Sequence, residues 1–309
     1  MKIFITGGSG LLGCALAFEL VKEHEVISGY HHNFIGIRDN NFSSVNIDIC
    51  DISSLKIIEN TSPDVIIHAA ALTDLEFCEK NPEIAYKINV IGTKNILKIA
   101  EKCNAKIVYI CTDYIFDGKT GNYSESDNPN PSSIYAKTKL QGEELIRKNY
   151  DDFISIRTSL YGWSLNKMSF AVWVISSLRE NKGISVLNDQ ISSMLFANDL
   201  ANVFNETLGY NLKGIYNIAS TDAMSKYNFA LKIAEIFDLN KNLIDTIALN
   251  DLIKKFSLSA NRPKDVSLNV SKIENELGKK MPTVMKGIEF MKENEIEFKK
   301  KVIMKWTSK

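Results

Sequence analysis

The chain has little of what marks a metal-bound, disulfide-stapled, nucleic-acid-binding or membrane-spanning protein. Its five cysteines, Cys14, Cys50, Cys78, Cys103 and Cys111, form no Cys-x-x-Cys pair and have only four histidines for company. That spacing argues against a zinc site or any other metal centre, and against a disulfide framework. No charge excess exists: Lys+Arg and Asp+Glu both number 37, so neither nucleic acid nor an anionic membrane is the expected partner. No run of about 18 apolar residues is present to span a bilayer, and the N-terminus enters "KIFITG" without a basic region and apolar stretch ahead of it. A cytoplasmic protein is expected. Internal repeats and low-complexity segments are missing as well, and the basic end "FKKKVIMKW" reads as a solvated helix or tail.

What is present is a rhythm. Apolar, β-rich runs recur as "KIFITG", "EVISGY", "VNIDI", "DVIIHAA", "KIVYICTDYIF" and "FISIRTSLYG", separated mostly by stretches of helical periodicity. Strands apolar on consecutive positions suit a parallel sheet covered by helices on both faces. The expectation is an α/β, Rossmann-type doubly wound sheet over residues 1–160, with 184–220 returning to it. Residues 161–183 and 221–309 should then form a smaller, mainly helical lobe that binds substrate.

The first turn carries the strongest local signal. "TGGSGLLG" sets Gly7, Gly10 and Gly13 between a strand and a helix, the context in which a glycine motif is informative. Gly7 permits a tight turn, Gly10 lets a pyrophosphate approach the backbone, and Gly13 permits close packing of helix on strand. Ser9, Leu11 and Leu12 complete the cradle, whose helix N-terminus attracts an anion. The end of the second strand reads "SGYHHN" and lacks the carboxylate that usually holds the ribose of NAD. NADP(H) is therefore favoured over NAD(H), with His31, His32 or Arg38 as cationic contacts. Asp48, followed by Ile49, either meets the adenine amino group or caps a helix beginning near Ser53.

Tyr135 stands four residues before Lys139. With 11 tyrosines and lysine at about one residue in ten, roughly one Tyr-x-x-x-Lys arises by chance, so the spacing alone proves little. Its chemistry is nonetheless apt for reducing a ketone. A lysine one turn on shares the tyrosine's helix face, and its charge should lower the phenol pKa and ease proton transfer. Lys137 points elsewhere. Thr112, at the end of the fifth strand, supplies a hydroxyl where such sheets bind ligands. Cys111 beside it has no partner base and is not expected to act as a nucleophile.

"TGGSGLLG", "NIDICD", "IIHAAALTDLEFCEKNPEIAYKIN", "CTDYIFDG", "YAKTKLQGEE" and "IRTSLYG" occur in an order and spacing that resembles the extended short-chain dehydrogenase/reductases, within them the dTDP-4-dehydrorhamnose reductase branch. The likeness continues less tightly through "LNDQISSMLFANDLA", "GIYNIAS", "SKYNFA" and "ANRPKDVSLN". It implies an NAD(P)-dependent oxidoreductase that reduces the C4 keto group of a nucleoside-diphosphate 4-keto-6-deoxy sugar, with homodimers common in the family. It also implies a triad of Thr112, Tyr135 and Lys139: Tyr135 gives the proton, Thr112 orients the carbonyl, and Lys139 also holds the nicotinamide ribose. Ala69, Ala70 and Ala71 line the cofactor. Asn89 matches a position retained for local geometry, or serves its helix alone.

For the substrate, the resemblance offers Arg262 near the diphosphate, the competing reading being a surface salt bridge. Asp113 and Tyr114 either touch the sugar or pack on the sheet. The family's usual tryptophan after "RTS" is replaced by Leu160, with Trp163 three residues later as the stacking candidate, and Cys111 stands where serine is usual. Two other functions share the pattern: a sugar-nucleotide epimerase or dehydratase that returns the hydride to its own substrate, and a regulatory subunit like that of methionine adenosyltransferase.

Overall fold

The computed structural model describes residues 1–163 and 168–303. Seven strands form the central sheet: β1 (Lys2–Thr6), β2 (Glu25–Tyr30), β3 (Phe42–Asn46), β4 (Val65–His68), β5 (Lys106–Ile110), β6 (Phe153–Arg157) and β7 (Gly214–Asn217). Every pairing is parallel, in the order β7-β6-β5-β4-β1-β2-β3. Each connection is therefore a crossover, and helices cover both faces. The apolar runs behave as this arrangement requires: β4 and β6 are buried at every position. Phe4, Ile66, Ile107 and Val108 are fully buried, each contributing roughly 1.5–3 kcal/mol by leaving water.

The third strand lies earlier than "VNIDI" implies. It runs from Phe42 to Asn46 because its register is set by β2, from Val26 opposite Phe42 to Tyr30 opposite Asn46. As a half-exposed edge strand with "FSS" at its start, it carries little apolar pattern. Asp48 consequently sits beyond the strand.

Helix α1 (Leu11–Leu20) is buried from Leu12 onward, clamped between the sheet and α5 (Ala197–Thr207), where Asn198 Nδ2 donates to Glu19 Oε1 at 2.9 Å. Between them along the chain come α2 (Thr93–Cys103), α3 (Ile134–Asn149) and α4 (Phe170–Arg179), and after them α6 (Lys226–Ile236). The return to the main sheet is made by α5 and β7. Ile184–Leu187, expected to share that return, instead pairs with Ile244–Ile247 in a separate two-stranded sheet, because that segment packs against α6 on the other side. The basic C-terminal stretch is helical over Glu295–Lys301, and Val302–Ile303 pairs with Gly36–Ile37. Among the described residues no helix is long and apolar enough to cross a membrane.

Candidate active site

Strand order reverses between β1 and β4, and a cleft of about 1160 Å³ opens at the carboxyl ends of β1, β4 and β5, the place where such sheets receive ligands. Its floor is backbone. Gly7 has φ +68°, and a Cβ there would stand 2.7 Å from the Ala70 backbone; one on Gly13 would stand 2.3 Å from the Gly7 carbonyl. Only glycine tolerates either position. Gly10 caps α1 with no side chain over the helix end, so the first-turn amides face the cleft with the positive end of the helix dipole. Ser9, Leu11, Leu12, Ile49, Ala69, Ala70 and Ala71 line the same space. A dinucleotide fits this cradle: it is a glycine turn, a helix N-terminus and a wall of small residues, each placed where a side chain would obstruct a pyrophosphate or ribose.

At the rim, His31 and His32 are exposed, line the cleft, and hold their rings 3.9 Å apart. Asp48 also lines it. Its Oδ1 accepts from the Cys50 amide at 2.8 Å, while the following helix begins only at Lys56 with Leu55 as its cap residue. Asp48 therefore shapes a turn and does not cap that helix. Arg38 is exposed beyond the short strand Gly36–Ile37 and is not among the lining residues.

The opposite wall carries the three residues expected to form the triad. Thr112 ends the loop after β5, its hydroxyl donating to Asp113 Oδ1 at 3.1 Å and accepting from the Tyr114 amide at 3.2 Å. Tyr135 and Lys139 lie one turn apart on α3, which starts at Ser133, whose Oγ accepts from the Ala136 amide. All three line the cleft. A buried ion pair seats this helix: Arg157, at the end of β6, reaches Glu143 at 2.7 Å, and Ser155 also donates to that carboxylate. Breaking such a pair costs about 3–5 kcal/mol, so the helix that holds the tyrosine is tied firmly to the sheet.

The electrostatics differ from the expected lysine-lowered phenol. Burial raises the Tyr135 pKa and the nearby Thr112 hydroxyl opposes it, with Lys139 not among the principal influences. Lys139 is itself lowered to about 8 by burial, its ammonium 4.1 Å over the Tyr109 ring. The Tyr135 phenol thus stays protonated at neutral pH, which is the form a proton donor needs. Cys111 is buried and its thiol pushed well up, so it is not a nucleophile at neutral pH. Asn89 is fully buried; its amide takes the Leu72 N–H at 2.8 Å and donates to Leu72 O and Thr138 Oγ1. It ties the alanine wall to α3, a positioning task beyond its own helix.

On the substrate side the outcome is mixed. Asp113 and Tyr114 line the cleft, and burial lifts Asp113 to about 7. Trp163 does not line it. Its indole N–H donates to Met291 O at 2.9 Å and its ring meets Phe237, deep in the helical lobe. In the extended backbone after Leu160, a residue three positions on faces the opposite side, and it is Leu160 that lines the cleft. Arg262 is held by Glu76 at 2.9 Å and by Ala260 O at 2.8 Å. Of three residues the motifs did not single out, Thr158 lines the cleft, while Gln190 and Lys226 stand directly behind lining residues: Gln190 Nε2 donates to the Tyr114 hydroxyl at 2.8 Å, and the Lys226 ammonium lies 5.2 Å over the ring of Phe170. Gln190 and Lys226 stood inside the weaker motifs "LNDQISSM" and "SKYNFA", where a loop between short strands and the first turn of a helix read the same with or without a ligand.

A family model described as the RmlD substrate binding domain matches residues 1–295. The chain is 30% identical to a probable low-salt glycan biosynthesis reductase, Agl14, of Haloferax volcanii over 92% of this chain and 95% of that one. It is 29% identical to methionine adenosyltransferase 2 subunit beta of Rattus norvegicus over 91% and 84%. The crystal structure of dTDP-4-dehydrorhamnose reductase from Bacillus anthracis in complex with NADP superposes with a TM-score of 0.83 at 30% identity, covering 95% of this chain and 99% of that one.

Proposed function

The chain belongs to the RmlD substrate binding domain family of extended short-chain dehydrogenase/reductases, and from that premise we propose that it reduces the C4 carbonyl of a nucleoside-diphosphate 4-keto-6-deoxy sugar at the expense of NAD(P)H. The observation that carries the reading is the convergence of Thr112, Tyr135 and Lys139 on one wall of a cleft whose floor is the glycine cradle. A cofactor bound there would supply the hydride. Gly7, Ser9, Gly10, Leu11, Leu12 and Gly13 would hold its pyrophosphate, Asp48 and Ile49 its adenosine end, and Ala69, Ala70 and Ala71 its flank.

Tyr135, protonated at neutral pH, gives its proton to the carbonyl oxygen as negative charge gathers there. Thr112 turns its hydroxyl proton from Asp113 Oδ1 to the same oxygen when the carbonyl is in place, and so fixes its direction. Lys139, cationic at neutral pH and one turn along the helix from Tyr135, reaches the nicotinamide ribose. Asp113 and Tyr114 face the sugar, with residues 161–163, 168–196 and 221–303 as the lobe that covers it. NADP(H) is preferred over NAD(H) in this reading, since the end of β2 carries no carboxylate to repel a 2′-phosphate and His31 lines the cleft there. The five free cysteines suit a cytoplasmic setting.

The test is oxidation of NADPH and NADH by the purified protein supplied with a dTDP-4-keto-6-deoxy sugar. Turnover is expected, faster at low concentration with NADPH, and Tyr135→Phe should lower kcat by about 10²–10⁴-fold while NADPH binding persists. A protein that binds NADPH tightly, oxidises none of it with keto sugars and forms a stable complex with a larger enzyme would replace this reading with that of a regulatory subunit.

A further inference from the structure

In the substrate wall and immediately behind it lie three buried polar atoms without a hydrogen-bond partner: Asp113 Oδ2 and Thr158 Oγ1 of residues that line the cleft, and Oε1 of Gln190, which touches the lining residue Tyr114. Their residues are 2%, 5% and 2% exposed. Buried polar atoms are ordinarily paired, at a cost of about 1–3 kcal/mol when they are not. Three in one wall beside a catalytic hydroxyl mark a surface completed by a ligand rich in hydroxyl groups. Gln190 is oriented for this, because its Nε2 is committed to Tyr114 Oη and to Pro263 O at 3.3 Å, leaving its carbonyl end as the free one.

The same wall needs a cation for the diphosphate, and its two candidates are not equivalent. Arg262 is committed. Its guanidinium bridges Glu76 and Ala260 O, and Glu76 also accepts from the Ser259 amide and hydroxyl and from the Ala260 amide. Burial works against Glu76, yet these donors hold its carboxyl at about 2, so the latch stays charged throughout the neutral range. Swinging Arg262 into the cleft would strip that carboxylate of its counter-charge. Lys226 has no such commitment: among the described residues its ammonium has no carboxylate within 4 Å and no hydrogen bond, only the Phe170 ring beneath it. Burial lowers its pKa, the charge of Asp113 raises it and that of Arg262 lowers it, which places all three charges in one neighbourhood.

We propose that Lys226 is the residue that binds the diphosphate of the substrate, while Asp113 Oδ2 and Gln190 Oε1 form hydrogen bonds with the sugar hydroxyls and Arg262 serves as a latch on the loop at Ser259 and Ala260. The proposal rests on the sugar-nucleotide reading, since the diphosphate carries that substrate's only negative charge. Lysine suits the task as a compact charge that adapts to either phosphate.

The experiment compares Lys226→Met, Lys226→Arg and Arg262→Met in the full-length protein, measuring kcat, KM for the keto-sugar nucleotide, inhibition by dTDP, and NADPH affinity. Lys226→Met should raise KM and the dTDP inhibition constant by at least about tenfold, leave NADPH affinity unchanged, and move kcat by less than about threefold; Lys226→Arg should recover most of the loss. NADPH affinity reports that the variant is folded. If Lys226→Met keeps the wild-type KM and dTDP inhibition while Arg262→Met loses both, the proposal is overturned and the reductase reading stands. Should the wild type bind NADPH but turn over no keto sugar, calorimetric titration with dTDP decides separately: binding weakened by Lys226→Met supports the site, and no binding to wild type overturns it.

Discussion

The two walls of the cleft are built on opposite principles. Behind the cofactor wall the polar groups from Ala70 to Asn89 are paired in a continuous chain, although the buried Ser28 Oγ beneath Gly8 has no partner. The Ala70 amide donates to Thr6 Oγ1 at 3.2 Å, Thr6 meets His68 Nδ1 at 2.8 Å, His68 Nε2 meets Thr93 Oγ1 at 3.0 Å, and Thr93 donates to Asn89 O at 2.7 Å. Because Thr93 gives its proton to Asn89, it must accept from His68, which assigns the imidazole proton to Nε2 and makes Nδ1 an acceptor. Burial and then the charge of Lys139 hold His68 down to about 3, so the chain keeps one neutral arrangement at all working pH. The substrate wall, by contrast, leaves Asp113, Thr158 and Gln190 each one partner short. The difference follows from what touches the ligand. Where backbone makes the contact, supporting side chains can be complete beforehand; where side chains make it, completeness waits for the ligand.

That contrast is most directly broken at Gly13. An added Cβ would lie 2.3 Å from the Gly7 carbonyl and 2.6 Å from Gly8 Cα, both backbone and unable to step aside as a flexible side chain would. Gly13→Ala should therefore lower NADPH affinity by more than about tenfold and destabilise the fold by about 1–3 kcal/mol, read by fluorescence titration and thermal melting. Unchanged affinity would mean that the cradle is not rigid, and the comparison would lose its first member.

The incomplete wall should respond in the opposite sense. Asp113 holds its proton up to about 7 against an ordinary 3.8, so between those values the folded protein carries more protons than the unfolded chain. Stability contributed here is greatest at low pH and is lost as pH rises toward 7. Asp113→Asn removes that loss while keeping an oxygen for Thr112. Each pKa unit is worth about 1.4 kcal/mol, so the variant should gain on the order of 1–4 kcal/mol over wild type at pH 8 and less at pH 5, with a rise of a few degrees in Tm, while its KM for the keto-sugar nucleotide increases. A variant less stable than wild type at pH 8 would show that the carboxylate is paired after all.

The same contrast explains what the sequence disclosed. The cofactor wall was legible because backbone chemistry leaves marks on residue type: Gly7 and Gly13 are glycine for steric reasons, and β1 and β4 are apolar because both their faces are covered. Thr112, Tyr135 and Lys139 were legible by spacing and by the motifs around them. The edge strand Phe42–Asn46 was read three residues late because one exposed face dilutes its pattern. Lysine's effect on the tyrosine was misjudged because spacing along a helix says nothing of burial, and burial leads at both residues. Gln190 and Lys226 escaped because their role depends on which bonds they fail to make, a property that only three dimensions reveal.

Trp163 gives the smallest expected effect and the sharpest limit on reading a substrate wall from motif position. As the nearest tryptophan to the family's usual stacking position it was the natural candidate, yet its N–H is spent on Met291 O and its ring on Phe237. The alternation around it already contains the reason. Leu160 faces the cleft while Tyr161 turns into the lobe, donating to Val284 O at 3.0 Å, and an odd offset from Leu160 carries Trp163 to the buried side as well. Trp163→Phe should consequently cost about 1–2 kcal/mol of stability through the lost hydrogen bond and a smaller ring, while KM for the keto-sugar nucleotide stays within about twofold of wild type. A rise in KM comparable to that expected for Lys226→Met would return Trp163 to the sugar site; an unchanged KM leaves Leu160 as the apolar face the sugar meets, an aliphatic surface in place of an aromatic one.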